Sequence, residues 1–229
     1  MGAVTSIDFL KRIPLFYNLT TVELGNLQPI FQEREYKKNQ VIFIEEETGK
    51  YMYIVKYGEV KVLQTTPDGR ENILAIHGPG DTFGELSLLD NQTTPATVVA
   101  MEDCKIISIS KQHFDTVLMK NALVVESLLT ILCRKLRDSW KTIQILKFND
   151  AETRLKHVLM GLARVDGVWE SDEVLISTKI THQDLAEIAG TSRETISRII
   201  SKLQAQKLLK IRAHKFVLVG HDRWKNVQS

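Results

Sequence analysis

Residues 181–209, THQDLAEIAGTSRETISRIISKLQAQKLL, constrain the fold most, because they have the spacing of two short helices joined by a tight turn. Thr181, followed three residues later by Asp184, is a capping pair that predicts the start of the first helix. Gly190 tolerates a positive φ and predicts its end. The stretch therefore predicts a helix-turn-helix.

The second helix is predicted to begin at Thr191 or Ser192, with Glu194 placed to close a capping box on Thr191. Its buried side carries Ile196, Ile199, Ile200 and Leu203, and its other side carries Arg193, Glu194, Ser197, Arg198 and Lys202. Arginine can bridge guanine O6 and N7, and glutamate can accept from cytosine N4, so the polar side suits a DNA groove. An ordinary helical hairpin with a solvated charged face is the alternative.

Net charge favours DNA over that alternative. Residues 191–229 contain nine Lys or Arg against two Asp or Glu, a charge of +7 in a chain whose total is +2. This asymmetry predicts a polyanionic partner for the C-terminal part of the chain.

Length and composition predict a soluble, two-domain protein, with 229 residues, of which 43% are hydrophobic and 25% charged. No apolar run approaches the roughly 18 to 20 residues of a membrane-spanning helix. The first residues lack the basic start and apolar core of a secretory signal. We therefore expect a cytoplasmic protein with no membrane partner.

Cysteine and histidine spacing predicts no metal or catalytic site. Cys104 and Cys133 lie 29 residues apart and form no CxxC pair, so both are predicted to be buried small apolar residues. The six histidines show no HExxH spacing, and GxSxG, P-loop and GxGxxG motifs do not occur. We expect no enzymatic activity and no required cofactor.

The N-terminal half changes from short helices in residues 7–32 to short runs rich in branched and aromatic residues in residues 33–109. Many short strands separated by glycine turns predict an all-β sandwich or barrel. Within it, residues 82–94, TFGELSLLDNQTT, predict a single helical turn rather than a strand. Glycine before this turn frees backbone amides to face a ligand, and Glu85 can accept from a hydroxyl.

A long helix is predicted over about residues 122–148. Its apolar residues recur in steps of four and three, as in the seam of a coiled coil: Val125, Leu129, Leu132, Leu136, Ile143 and Leu146, with Ser139 between them. One small barrel cannot cover so long an apolar edge, so we interpret this helix as a dimer interface.

Asn149 and Asp150 predict the end of that helix and the cap of the next one. Strand candidates then flank the helix-turn-helix, which we also call the reader, at residues 174–178 and 209–220. A helix-turn-helix flanked by a β hairpin is a winged helix. Its hairpin tip carries Arg212, His214 and Lys215.

The strings GDTFGELSLLD, ATVVAMEDCKIISIS and TSRETISRIISKL, in this order, resemble the CRP/FNR family of bacterial transcription regulators over about residues 8–220. The resemblance implies an α+β fold with a cyclic-nucleotide-binding-type β roll (1–120), a dimerisation helix (121–149) and a winged helix-turn-helix domain (150–229). It also implies a homodimer on double-stranded promoter DNA with a two-fold symmetric operator, with RNA polymerase as a further partner.

Matched position by position, the base-reading residues of the family fall on Arg193, Glu194 and Arg198. The implied half-sites contain TG near the outside and CA on the symmetric side. The full set of predicted DNA contacts is Thr181, His182, Gln183, Ser192, Arg193, Glu194, Thr195, Ser197, Arg198, Lys202 and Arg212.

The effector site departs from the relatives that bind cyclic AMP. Their arginine and serine, which clamp the phosphate, are replaced by Thr94 and Pro95, and neither can form a charge-assisted pair. The two residues that touch the adenine fall on Ser139 and Trp140. The implied effector site consists of Gly84, Glu85, Leu86, Thr94, Pro95, Ser139 and Trp140.

The sequence therefore predicts a dimeric, sequence-specific DNA-binding transcription regulator. The ligand of its β roll is expected to be something other than cyclic AMP, or absent. Two alternatives stay open: a cyclic-nucleotide-responsive regulator, and a cyclic-nucleotide-binding module that acts on a protein partner.

Overall fold

A computed structural model describes residues 5–66, 69, 71–148, 150–220 and 224. The chain divides into two compact units, Met1–Asp138 and Ser139–Ser229, and the boundary falls inside the longest helix. Arg70, Asn149 and the turn residues 67–68 lie outside the described residues.

In the first unit, the described strands form two four-stranded antiparallel sheets. The strands are β1 (Gln32–Tyr36), β2 (Val41–Phe43), β3 (Tyr51–Tyr57), β4 (Val60–Thr65), β5 (Glu71–His77), β6 (Thr82–Phe83), β7 (Thr97–Ala100) and β8 (Cys104–Ser110). Their orders are β1-β8-β3-β6 and β2-β7-β4-β5. Side chains of both sheets, including Val55, Val98 and Ile106, share one buried core. This confirms the predicted β roll, although the sequence interpretation missed β1 and β6.

Helices precede and follow the strands of the roll, and one short helix lies between β6 and β7. They are α1 (Ile7–Leu10), α2 (Thr21–Leu27), α3 (Leu86–Asp90), α4 (Lys111–Thr116) and α5 (Ala122–Phe148), with 3₁₀ turns at Pro14–Phe16, Gln28–Ile30 and Leu118–Lys120. A second core joins Phe16 and Leu24 to Phe114 and to Val124 and Leu128 of α5. The single helical turn predicted within residues 82–94 is α3, and the long helix predicted over residues 122–148 is α5.

The second unit contains the winged helix. Its elements after α5 are α6 (Ala151–Asp166), β9 (Gly167–Glu170), β10 (Glu173–Ile176), α7 (His182–Ala189), α8 (Arg193–Ala205), β11 (Leu209–Arg212) and β12 (Lys215–Val219). Asp150 caps α6 as predicted, because its Oδ1 accepts from the Thr153 N–H at 2.9 Å. The strands form an antiparallel sheet in the order β11-β12-β10-β9. The sequence interpretation missed β9, which is a short edge strand.

The two cysteines differ in environment. Cys104 is buried, with its Sγ 3.2 Å from the Glu59 carbonyl oxygen. Cys133 is exposed, so the prediction that it is buried is wrong. Cys133 lies nine residues after the buried Val124. At 3.6 residues per turn, this spacing places Cys133 on the side of α5 opposite the face that enters the core.

No single helix among the described residues is long and apolar enough to cross a bilayer. Two consecutive helical segments, Lys111–Lys120 and Ala122–Gln144, have the length and apolar composition of a membrane span only when they are combined, and the chain bends by 106° between them.

Candidate nucleic-acid interface and effector site

The first helix of the reader begins and ends where the sequence predicts. Thr181 Oγ1 accepts from the Asp184 N–H at 3.1 Å, and Asp184 Oδ2 accepts from the Thr181 N–H at 2.9 Å. Gly190 adopts the left-handed conformation, with φ of 58°. The Thr191 N–H then donates to the Ala186 carbonyl, which satisfies a carbonyl at the end of α7.

The start of α8 was predicted at Thr191 or Ser192, and the structure has the second of these. Ser192 is the N-cap, since its hydroxyl accepts from the Thr195 N–H at 3.2 Å. The predicted capping box between Glu194 and Thr191 is therefore wrong. The reason is that the Thr191 N–H is already used to close α7, so the new helix begins one residue later.

The exposed face of α8 presents hydrogen-bonding groups of both kinds. Arg193, Glu194 and Arg198 are exposed, while Ile196 and Ile200 are buried beneath them. Hydrogen bonds from the backbone N–H of Glu194 and from the Ser192 hydroxyl lower the pKa of the Glu194 carboxyl, and Arg193 and Arg198 lower it further. Glu194 is thus an acceptor beside two guanidinium donors, the combination that reads guanine and cytosine edges.

Two of the predicted cationic contacts are engaged in ion pairs. Lys202 Nζ lies 2.6 Å from Glu152 Oε2 on α6, and hydrogen bonds from Lys156 and then from Lys202 lower the pKa of Glu152. Arg212 lies 3.2 Å from a carboxylate oxygen of Glu173 on β10. Both pairs remain partly exposed.

The remaining predicted DNA contacts surround the start of α7. Gln183 donates to Glu187 Oε1 at 2.8 Å along the same helix. His182 Nδ1 lies 3.0 Å from Ser197 Oγ on α8, and its ring stacks on Phe216 of β12 at 6.1 Å between centroids. The structure therefore brings α7, α8 and the wing strand together at His182.

Glu85 is the centre of the predicted effector site in the first unit. The preceding Gly84 has φ of 78°, and a Cβ there would lie 3.0 Å from both Tyr51 O and Tyr53 Cδ2, so only glycine fits. The Glu85 side chain is 2% exposed and forms an ion pair with Lys135 of α5 at 2.8 Å. Lys135 also donates to the Thr82 carbonyl at 2.8 Å.

The sequence interpretation missed Lys135, although a signal was present. Val124, Leu128 and Ile131 lie on the face of α5 that packs on the first unit, and Lys135 follows Ile131 by four residues. A lysine that continues an apolar helical face must extend its ammonium group either to solvent or to an acid near that face.

Thr94 and Pro95 form hydrogen bonds with residues distant in sequence. Thr94 is buried, and its Oγ1 donates to the Ile44 carbonyl at 2.6 Å. The Pro95 carbonyl accepts from Gln64 Nε2 at 2.8 Å. The loop that Thr94 contacts continues through the three acidic residues 45–47.

Aromatic rings fill part of the roll, which the strand pattern did not reveal. Tyr53 stacks on Phe83 at 5.1 Å and on Phe43 at 5.5 Å, and His77 stacks on Phe83 at 6.0 Å. Burial raises the pKa of Tyr53 to about 12. We call these four residues the aromatic column.

The other predicted effector residues do not share this environment. Leu86 is 46% exposed. Ser139 and Trp140 lie on the part of α5 that belongs to the second unit, and both are exposed. The predicted effector residues are therefore divided between the two units.

The predicted dimer residues of α5 fall into two groups. Leu129, Leu136 and Ile143, spaced by seven, are 59%, 51% and 60% exposed. Val125 and Leu132 are half-buried, and Leu132 packs against the core of the first unit. Within this chain, the first group is left without apolar cover.

Two family models match the chain: a cyclic nucleotide-binding domain over residues 33–121 and a Crp-like helix-turn-helix domain over residues 153–223. A cyclic AMP receptor protein of Thermus thermophilus is 33% identical over 202 residues, which cover 88% of this chain and 90% of that relative. The chain belongs to the CRP/FNR family of transcription regulators.

Solved structures of the family share the fold. FixK2 of Bradyrhizobium japonicum is similar with a TM-score of 0.77 and 25% identity, over 86% of this chain and 97% of that chain. CLP of Xanthomonas campestris, described as a c-di-GMP-responsive global regulator, has a TM-score of 0.75 and 25% identity, over 88% and 100% of the two chains. Different ligands are thus named for relatives that share this architecture.

The cap of the reading helix can be tested by comparing two neighbouring hydroxyls. We expect Ser192→Ala to lower the free energy of unfolding of the second unit by about 1 kcal/mol, because the Thr195 N–H loses its acceptor. Thr191→Ala should cost less than half of that, because its role at the turn is carried by its backbone N–H. Thermal unfolding of the two variants measures both values, and a larger loss for Thr191→Ala would contradict the assigned cap.

Proposed function

We propose that this family member is a dimeric, sequence-specific DNA-binding regulator. The observation that carries the proposal is the exposed set of Arg193, Glu194 and Arg198 on a capped helix of a Crp-like helix-turn-helix domain. The charge of +7 over residues 191–229 supports a polyanionic partner. A module that acts only on a protein partner would leave both features without a use.

The proposed readout divides contacts by their chemistry. Arg193 and Arg198 specify guanine through O6 and N7, and Glu194 specifies cytosine through N4. Thr181, Gln183, Ser192, Thr195 and Arg212 position the domain on phosphates. Because the regulator acts at promoters, we propose RNA polymerase as a further partner.

The DNA-binding proposal is tested by selecting operator sequences with the full chain and measuring variants on the selected site. We expect Arg193→Ala or Arg198→Ala to lose about 1 to 3 kcal/mol and to relax the base preference at one position. Lys202→Ala should instead weaken all DNA similarly and lower the salt slope by about one.

Full specificity in Arg193→Ala would contradict this assignment. If no fragment is enriched from genomic or random DNA, the DNA-binding proposal itself is wrong, and a protein-directed module becomes the better interpretation.

The dimer proposal rests on the exposed apolar face of α5. Trp140, which is 60% exposed, lies four residues after Leu136 and three before Ile143, so the three residues follow the four-and-three spacing of a coiled-coil seam. A second copy of α5 that packs against this face would bury Leu129, Leu136, Trp140 and Ile143. Two reading helices would then meet two half-sites.

For the dimer, we expect Leu136→Glu to yield monomers and to abolish high-affinity operator binding, because it would bury an unpaired charge in the interface. Val165→Glu is the matched control, since Val165 is 85% exposed at the end of α6 and outside the proposed interface. Sedimentation velocity measures both. An intact Leu136→Glu dimer would show that α5 is not the main interface.

The effector proposal is that cyclic AMP binds weakly or not at all. A phosphate that enters the roll needs a paired cation, because an unpaired buried anion costs several kcal/mol. Thr94 uses its hydroxyl on Ile44, Pro95 has no N–H, and Lys135 is paired with Glu85. Lys61, another candidate cation, lies 3.5 Å from Glu71 on the neighbouring strand.

Packing supports the same proposal. The aromatic column occupies the interior of the roll with three large rings and an imidazole. We propose that a ligand of this roll, where one is used, is less anionic than a cyclic nucleotide, or that the protein binds its operator without one. A cyclic-nucleotide-responsive regulator remains the second candidate, because the Thermus thermophilus relative is named a cyclic AMP receptor protein.

Calorimetric titration with cyclic AMP separates the two candidates. We expect no saturable binding at micromolar concentrations to the natural sequence. A Thr94→Arg/Pro95→Ser double variant should gain about ten- to a hundredfold, since one charge-assisted pair contributes about 1.5 to 3 kcal/mol. Gln92→Arg, which adds the same charge on the exposed side of this loop, should gain nothing. Micromolar binding to the natural sequence, coupled to tighter operator binding, would favour the second candidate.

A further inference from the structure

His182 joins the three elements of the second unit that surround the proposed DNA face. It is the first residue of α7, its Nδ1 lies 3.0 Å from Ser197 Oγ on α8, and its ring stacks on Phe216 of β12. Ser197 follows Arg193 by four residues and precedes Arg198, so it lies on the side of α8 that carries the exposed arginines. Both His182 and Ser197 are half-buried.

We propose that His182 is a positioning residue that sets the base preference of Ser197: its protonation decides whether the Ser197 hydroxyl accepts from or donates to a base. This inference rests on the proposed DNA-binding function. It assigns a specificity-determining role to a residue whose own contact is with another side chain.

The direction of the hydrogen bond between His182 and Ser197 follows from which donors and acceptors each side chain carries. In neutral imidazole with the proton on Nε2, Nδ1 is an acceptor, so it takes the single hydroxyl hydrogen of Ser197. The Ser197 oxygen then offers lone pairs, which match the amino groups of adenine N6 and cytosine N4. In the imidazolium form, both ring nitrogens are donors. Ser197 Oγ then accepts from His182, and its hydrogen is free for guanine N7 or O6 or for thymine O4.

The stack on Phe216 favours this coupling, because it fixes the plane of the imidazole ring while Nδ1 points at Ser197. A serine within a helix can otherwise bond to the carbonyl four residues earlier, as Ser201 does to Ser197 at 3.0 Å. The histidine replaces that local bond with one whose direction can reverse.

The three elements that meet at His182 carry charged side chains of both signs. They include Asp184 and Glu187 on α7, Arg193, Glu194 and Arg198 on α8, and Lys215 on β12. The pKa of Glu194 is already lowered by its own backbone N–H and by Ser192, so this carboxylate stays ionised through the pH range in which imidazoles titrate, about 5 to 8.

The test is operator selection with the full chain at pH 5.5 and at pH 8.5. The position read by Ser197 is defined as the one whose preference is lost in Ser197→Ala. For the natural sequence, we expect the ratio of adenine and cytosine to guanine and thymine at that position to fall about fivefold or more at the lower pH. A ratio that does not change with pH would overturn the inference.

Variants separate positioning from a structural role. His182→Phe keeps an aromatic ring on Phe216 but removes the ring nitrogens, so we expect the ratio in its selected sequences not to depend on pH. His182→Asn keeps a hydrogen-bonding group near the Nδ1 position and does not titrate, so its ratio should also be constant. His157→Gln, on α6, should retain the change seen in the natural sequence.

Two further outcomes are distinguishable. A pH-dependent ratio that persists in both His182 variants would overturn the inference and leave DNA binding intact. No enriched sequence at either pH would contradict the proposed function and, with it, this inference.

Discussion

Val124 and Leu128 enter the core of the first unit, and three turns after Val124 the same face of α5 delivers Lys135 to the buried carboxylate of Glu85. Burial of this face determines what the rest of the helix presents. The opposite face, with Leu129, Leu136 and Cys133, remains exposed because an α-helix cannot turn both faces toward one core. The exposed apolar face of α5 thus follows from the contact with the roll.

The ion pair between Lys135 and Glu85 also sets the electrostatics of the roll. A buried carboxylate needs a partner, and here the partner is supplied by the chain itself. The Thr94 hydroxyl is likewise engaged within the chain, by the Ile44 carbonyl. Relatives of this chain are named for cyclic AMP and for c-di-GMP, so the family architecture does not by itself specify the ligand.

The reader depends on backbone hydrogen bonds at the junction of its two helices. The Thr191 N–H satisfies the end of α7, and Ser192 satisfies the start of α8. Arg154 of α6 adds a hydrogen bond of 2.7 Å from its Nε to the Ala189 carbonyl. Since few backbone groups at the turn can shift without losing a partner, the exposed face of α8 is held in a defined orientation relative to α7.

Local spacing in the sequence was sufficient for the order of elements, the capping box at Thr181, the left-handed Gly190 and the apolar and polar sides of α8. These features depend on residues three or four positions apart, where helical geometry alone decides which side chains are neighbours. The family resemblance then supplied the expected positions of the DNA contacts.

Only the tertiary structure decided the partners of the polar side chains. Lys135 meets Glu85, Thr94 meets Ile44, and Lys202 meets Glu152, each across 50 residues of sequence. His182 meets Ser197 across 15 residues and a helix boundary. A polar group bonds to whichever distant backbone or side-chain group is brought within about 3 Å of it by packing. The periodicity of the sequence does not predict such distances.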